Sequence, residues 1–198
     1  MKISNFFKKT SSFIYIEEVV MISSKSLLTF NGTAAIEIPL LHLFDEQNAE
    51  LEEETVYTVT YTEWTAFEKM PHRALERING VPTLVGVCPK GKKAALAIPF
   101  KVLDAESETG KRYKSLHETI FPQFEEKVKN FKGNTIPLAE AFINVIETLK
   151  TFDKHCTLKM QIAEDRTIIE VYGFYKLEQK SPHFTGIKAY VMGGRLPE

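Results

Sequence analysis

Two cysteines and five histidines are the side chains from which nucleophilic or metal chemistry would be built in this chain. Cys156 directly follows His155. Neighbours on an extended strand point to opposite faces, so that pair does not present a thiol to its base. A thiol enzyme would need Cys156 met through the fold by His42, His72, His117 or His183, and no spacing marks one of them. No His, Cys or carboxylate set at i, i+3 or i+4 resembles a zinc site, and His117-Glu118 and His72-Arg73 read as surface or half-buried pairs. The acidic run Glu50-Leu51-Glu52-Glu53-Glu54 lacks the alternating Asp/Asn ligands and glycine that wrap calcium. Lys90-Gly91-Lys92-Lys93 has the composition of a phosphate contact without the G-x-x-x-x-G-K-[ST] spacing whose amides cradle one. Paired carboxylates for acid–base work cannot be singled out among 26 acidic residues. The reading is no catalytic residue, no metal and no cofactor, which leans toward a non-enzymatic protein.

Charge carries more information. The formal net charge is −1, so attraction of the whole chain to DNA or an anionic membrane is not expected. Its distribution is uneven: residues 43–68 hold eight acidic side chains and no basic one, and residues 69–101 hold seven basic and one acidic. The plain interpretation is an acidic loop and a basic helix and hairpin, each facing water. The sharper one is a polarised surface that self-associates head to tail or steers a charged partner. On that basis Lys90, Lys92, Lys93, Arg73, Arg77 and Trp64 form the candidate partner-binding set. The function expected is a protein-binding or assembly module, through a protein partner or self-association. The alternative is nucleic-acid binding at the basic hairpin, with Trp64, Phe67, Tyr57 and Tyr61 as aromatic platforms. A third idea, carboxylates of residues 43–68 standing in for phosphates, is several times weaker than a solubilising loop.

The composition sets the class. A chain of 198 residues with 43% apolar and 26% charged side chains is globular, and it can bury roughly 70% of its unfolded surface without a staple. No run approaches a membrane-spanning length, so no membrane is expected as partner. Lys2, Lys8 and Lys9 precede Phe13-Ile14-Tyr15-Ile16, but Glu17 and Glu18 interrupt the pattern before any cleavage site, so export is disfavoured. With two cysteines, Cys88 in the apolar run Leu84–Cys88 is expected buried and reduced, which favours the cytoplasm. Met21 is a possible second start, which makes residues 1–20 a possible extension and 21–198 a single α+β domain.

The elements follow from periodicity. Ser26–Phe30 and Thr33–Ile38 flank Asn31-Gly32, a hairpin turn signal. Pro39 opens Leu40–Phe44, about one helical turn. Thr55–Trp64 alternates strand formers and predicts a strand. Met70, Leu75 and Ile78 on one face, with Pro71 in the first turn, predict a short helix closed by Asn79-Gly80. Pro82–Cys88 and Ala94–Val102 predict a hairpin with a basic tip at Pro89–Lys92, and Pro99 predicts an edge or a bulge. Asp104–Arg112 reads as an exposed connection. Tyr113, Leu116 and Ile120 share one helical face and Phe124, Val128 and Phe131 another, with Pro122 breaking or kinking the helix between them. Gly133 predicts the C-cap and Thr135 the next N-cap. Ala139, Phe142, Ile143, Ile146 and Leu149 give the 135–150 helix an apolar face. Thr157–Ala163 and Thr167–Tyr175, joined by Glu164-Asp165-Arg166, predict a second hairpin, with a last strand over Ile187–Met192. The expected fold is α+β, a mostly antiparallel sheet of hairpins packed on two or three helices.

Overall fold

The computed structural model describes residues 3, 20–30, 34–88, 94–130, 140–152, 156–163, 166–173 and 183–192. The fold is α+β, with antiparallel hairpins packed on few helices, as the sequence predicts. The strands are β1 (Val20–Ile22), β2 (Ser26–Phe30), β3 (Ala34–Pro39), β4 (Glu46–Gln47), β5 (Tyr57–Val59), β6 (His72–Ile78), β7 (Val81–Val87), β8 (Ala94–Pro99), β9 (Lys101–Val102), β10 (Thr157–Ala163), β11 (Arg166–Gly173) and β12 (His183–Met192). The helices are α1 (Tyr61–Glu68), α2 (Glu108–Ser115), α3 (Phe121–Asn130) and α4 (Glu140–Leu149), with a 3-10 turn at Leu40–His42. Among the described residues the strands form two sheets, not one. Eight run in the order β10-β11-β12-β3-β2-β1-β5-β9, and four in the order β4-β6-β7-β8. The β4–β6 pair is parallel.

Alternation along the large sheet divides its side chains between two apolar layers. Met21, Leu28, Ala35, Ile168 and Tyr190 face α2 and α3, where they meet Leu116, Phe121, Phe124 and Val128. The opposite face presents Ile22, Leu27, Ile36, Ile169, Ile187 and Val191 to Val145 and Leu149 of α4, to Trp64 and Phe67 of α1, and to Leu75, Leu84 and Ile98 of the small sheet. One apolar cluster therefore runs through both sheets.

Several expectations are corrected. The strand expected over Thr55–Trp64 is three residues, β5, followed by α1. The switch has a local cause. The Thr60 hydroxyl accepts from the Glu63 amide at 3.2 Å, while the Glu63 carboxylate takes the Thr60 amide at 2.8 Å, a reciprocal cap that starts a helix inside a run of strand formers. The helix expected behind Pro71 is instead strand β6, paired with β7 from His72↔Val87 to Ile78↔Val81. Asn79 (φ 50°) and Gly80 (φ 83°) both take the left-handed conformation of a two-residue hairpin turn, so this Asn-Gly joins two strands and does not cap a helix. Asp104–Arg112 is only partly a connection, because Ser107 caps α2 by accepting from the Gly110 amide at 3.0 Å. A Cβ at Gly110 would lie 2.2 Å from the Asp104 carbonyl oxygen, which is why the entry to this helix has no side chain there.

Pro122 neither ends the helix nor leaves it regular. Between α2 and α3 lies a π-helical turn, Leu116–Ile120, in which the Phe121 amide donates to the Leu116 carbonyl. The wider turn stands just before the residue that has no amide hydrogen and whose ring would crowd an α-helical carbonyl. Val145 and Leu149 of α4 are fully buried, Phe142 and Ile146 are half-buried, and Ile143 is 44% exposed, so the buried stripe is rotated from the expected one. Cys88, expected buried, is exposed. Ile3 is buried in the core and its amide donates to Glu68, and Val20 begins strand β1, which lies between β2 and β5. The turn at residues 31–33, the hairpin tip at 89–93, the caps at Gly133 and Thr135, and the 164–165 loop lie outside the described residues.

Candidate interaction surface

β10 is the last strand of the large sheet. All seven residues pair antiparallel with β11, from Thr157↔Tyr172 to Ala163↔Arg166, and no strand among the described residues pairs with its outer side. Its sequence gives two faces. Leu158, Met160 and Ile162 lie on the side of Ile169 and Val171, and Lys159, Gln161 and Ala163 lie on the side of Glu170 and Ile168, across which α3 packs. Burial falls toward the edge: Met160 is 40% exposed, and Leu158 and Ile162 are half-buried. The opposite edge, β9, is two residues long.

Native sheets usually protect a long edge with proline, a bulge, a cover or a lysine. β10 has no proline, and its register with β11 is unbroken. Its single lysine lies beside its own chain's carboxylate: Lys159 Nζ is 3.4 Å from Glu170 Oε2. That pair opens a row of alternating charge, because Glu170 stands opposite Lys188 and Lys188 opposite Glu37. Lys188 Nζ also reaches Glu125 of α3 at 3.4 Å, and the Ser26 hydroxyl donates to Glu37 at 2.8 Å. Opposite charges in adjacent strands favour the register and leave Lys159 a weak guard of the edge.

Four titratable groups away from this edge, His42, Tyr113, His117 and Tyr190, are half-buried or buried. His117 lies on the π turn with its ring 4.6 Å from that of Tyr113 and 5.3 Å from that of Phe121, and its Nε2 is buried without a hydrogen-bond partner. Burial lowers its pKa, and the nearby Glu37 carboxylate opposes that shift. Tyr113 is raised by burial and then by Glu37, and Tyr190 by burial and then by Glu125, Glu37 and Glu170. Tyr190 stacks on Phe121 at 4.0 Å. His42 Nε2 lies 2.8 Å from the Thr185 carbonyl oxygen, with its ring edge against Phe152. Among the described residues no group of three or more His, Cys, Asp or Glu could hold a metal, and no helix is long and apolar enough to cross a membrane.

Of the expected partner-binding set, Trp64, Arg73 and Arg77 fall among the described residues. Lys90, Lys92 and Lys93 lie outside the described residues. Trp64 is 1% exposed and its Nε1–H donates to Glu68 at 3.1 Å, so it is a core residue and not a contact. Phe67 and Tyr57 are buried too, which removes them as platforms for bases. Arg77 is exposed, but its guanidinium donates to the carbonyls of Gly80 and Glu50 at 2.8 and 2.9 Å and ties the hairpin turn to the acidic segment. Arg73 is half-buried, and its amide donates to Asp45 Oδ2 at 2.8 Å. The acidic block also does local work: Glu63 caps α1, Glu68 takes the Trp64 and Ile3 donors, and Glu52 accepts from the Thr55 hydroxyl. Sequence reasoning located strand β10 but not its edge position. The signal available was a strand with one lysine and no proline.

Neither a protein-family model nor a curated protein matches this chain. Among solved structures it is similar to the DNA polymerase sliding clamp from Bacillus subtilis, with 12% identity and a TM-score of 0.34, over 100% of this chain and 63% of that one. The chain thus spans 63% of that protein's length, and a likeness at this level bears on neither the site nor its partners.

Proposed function

We propose that this protein is a non-enzymatic protein-binding or assembly module whose docking element is the outer edge of β10. The observation that carries the reading is a seven-residue, unbroken strand that is the edge of the sheet among the described residues, with Met160 40% exposed and its one lysine beside Glu170. An unpaired row of backbone donors and acceptors is satisfied equally well by water or by another strand, and apolar side chains at alternate positions favour the strand. The basic residues Lys90, Lys92, Lys93, Arg73 and Arg77 have the subsidiary role of steering an acidic surface toward the molecule.

The test is size-exclusion chromatography with light scattering on the full chain and on Met160→Lys, recording the ratio of absorbance at 260 and 280 nm. A species larger than 22.6 kDa that Met160→Lys reduces in size supports the reading. An assembly indifferent to that substitution, or a monomer that carries nucleic acid, overturns it. The second outcome would move the interaction to the basic hairpin, with the steep salt dependence of phosphate contacts.

A further inference from the structure

The edge of β10 is self-complementary in one register, and we infer that its partner is a second copy of this chain, paired antiparallel about a two-fold axis at Met160. This rests on the reading of β10 as a docking edge and adds the occupant and the alignment.

Residues directly opposite each other in an antiparallel pair point to the same side of the sheet, and a two-fold axis keeps each face of one copy continuous with the same face of the other. Only registers that oppose same-face residues satisfy both conditions. Centring the axis on Met160 pairs all seven residues of Thr157–Ala163 with seven of the second copy. Met160 meets Met160, and Leu158 meets Ile162 twice, so the partly exposed apolar side covers itself. On the other side Lys159 meets Gln161, and no like charges are opposed. Centring on Lys159 shortens the ladder and places two lysines face to face, which is unfavourable. Centring on Gln161 also shortens it, and sets Lys159 against Ala163. Charge excludes the Lys159-centred alignment, and overlap together with the pairing of Leu158 and Ile162 favours Met160 over Gln161 as the centre. It joins the two large sheets into one and removes two exposed edges at once.

Disulfide crosslinking of the full chain tests the register, in a Cys88→Ser, Cys156→Ser background that keeps the wild-type oligomeric state. Opposite Cα atoms in an antiparallel pair are about 4.5 or 5.5 Å apart, within the roughly 4.4–6.8 Å a disulfide spans. Met160→Cys should therefore give a covalent dimer under mild oxidation. Leu158→Cys should not, because its symmetry mate lies four residues along the ladder, about 13 Å away. Gln161→Lys should weaken the dissociation constant and Gln161→Glu should tighten it, each by roughly 2- to 30-fold, since two symmetric pairs with Lys159 change together. Circular dichroism of each variant excludes unfolding as the cause. Crosslinking at 158 and not at 160 overturns the register. No crosslinking at either position, with a dimer still sensitive to Met160→Lys, overturns the two-fold pairing. Both results leave β10 as a docking edge. A dimer indifferent to Met160→Lys, or a monomer throughout, overturns the edge reading as well.

Discussion

Its place before a basic segment puts Trp64 among the candidate contacts, and the structure seats it in the core, where its single polar atom finds Glu68 four residues on, one helical turn away. Trp64→Phe keeps most of the packing and removes that bond to a carboxylate, an expected loss of about 1.5–3 kcal/mol. Trp64→Ala removes the ring as well and should lose about 3–5 kcal/mol. Urea unfolding of both variants checks the order; equal losses would mean that the hydrogen bond contributes everything and the ring nothing. His42 and His117 carry a second prediction. Both have pKa values held below the ordinary 6.5, primarily by burial, and the Thr185 carbonyl and the Glu37 carboxylate push the other way. A group whose folded pKa is depressed takes up its proton more readily when unfolded. Its stability is therefore fully present above the unfolded value and is lost as pH falls through 6.5 toward the folded value. The melting temperature should fall between about pH 7.5 and pH 5, and His117→Phe should reduce the drop. An identical pH slope in that variant would show that the imidazole is not linked to folding.

At the scale of elements, legibility depended on whether a local pattern had one meaning. The hairpins β2–β3, β7–β8 and β10–β11 were read from runs of strand formers beside turn residues, and the strands pair accordingly. Asn-Gly was ambiguous, since it can close a hairpin or cap a helix. At residues 79–80 it closes a hairpin, in which His72–Ile78 pairs with Val81–Val87 and Leu75 sits in the core opposite Leu84. At Thr60 the four-residue cap, Thr60 to Glu63, outweighs the β propensity of Tyr61 and Thr62. Thr60→Ala should therefore cost about 1 kcal/mol, and the circular dichroism and melting of Glu63→Ala should follow it, because either substitution undoes the same reciprocal bond. In α4 the apolar face was found but its centre was misplaced, because Asn144 and Thr148 are also buried there, with the Thr148 hydroxyl donating to the Asn144 carbonyl at 2.8 Å. Leu149→Ala should lose about 2–5 kcal/mol, and Phe142→Ala, half-buried, should lose less than the roughly 3–5 kcal/mol of a core phenylalanine. The reverse ranking by chemical denaturation would return the centre of the stripe to Phe142.

For the molecule as a whole, the class was readable and the division into two sheets was not, because which hairpins share a sheet is decided by contacts far apart in sequence: β12 inserts beside β3, and β5 beside β1. The same distance hid the edge, since a strand becomes an edge only when every other pairing has been assigned. Of the acidic block and the basic one that follows it, four described residues meet locally. Asp45 accepts from the Arg73 amide, and Arg77 donates to the Glu50 carbonyl. Two modes of assembly are therefore distinguishable by salt. Head-to-tail attraction between charge blocks acts through solvent, and its range shrinks from about 10 Å at about 0.1 M salt to about 3 Å at about 1 M. Pairing at β10 rests on backbone hydrogen bonds and on burial of Leu158, Met160 and Ile162, which salt leaves intact or strengthens. Sedimentation equilibrium across that range should give a dissociation constant that stays level or tightens. If the contact is held by the β10 pairing, reversal of Lys90, Lys92 and Lys93 to Glu should then slow association more than it weakens the assembled state, because a charge outside the contact steers encounter without holding it. A constant that weakens tenfold or more with salt, together with loss of assembly on that reversal, would transfer the interface from the sheet edge to the charge blocks.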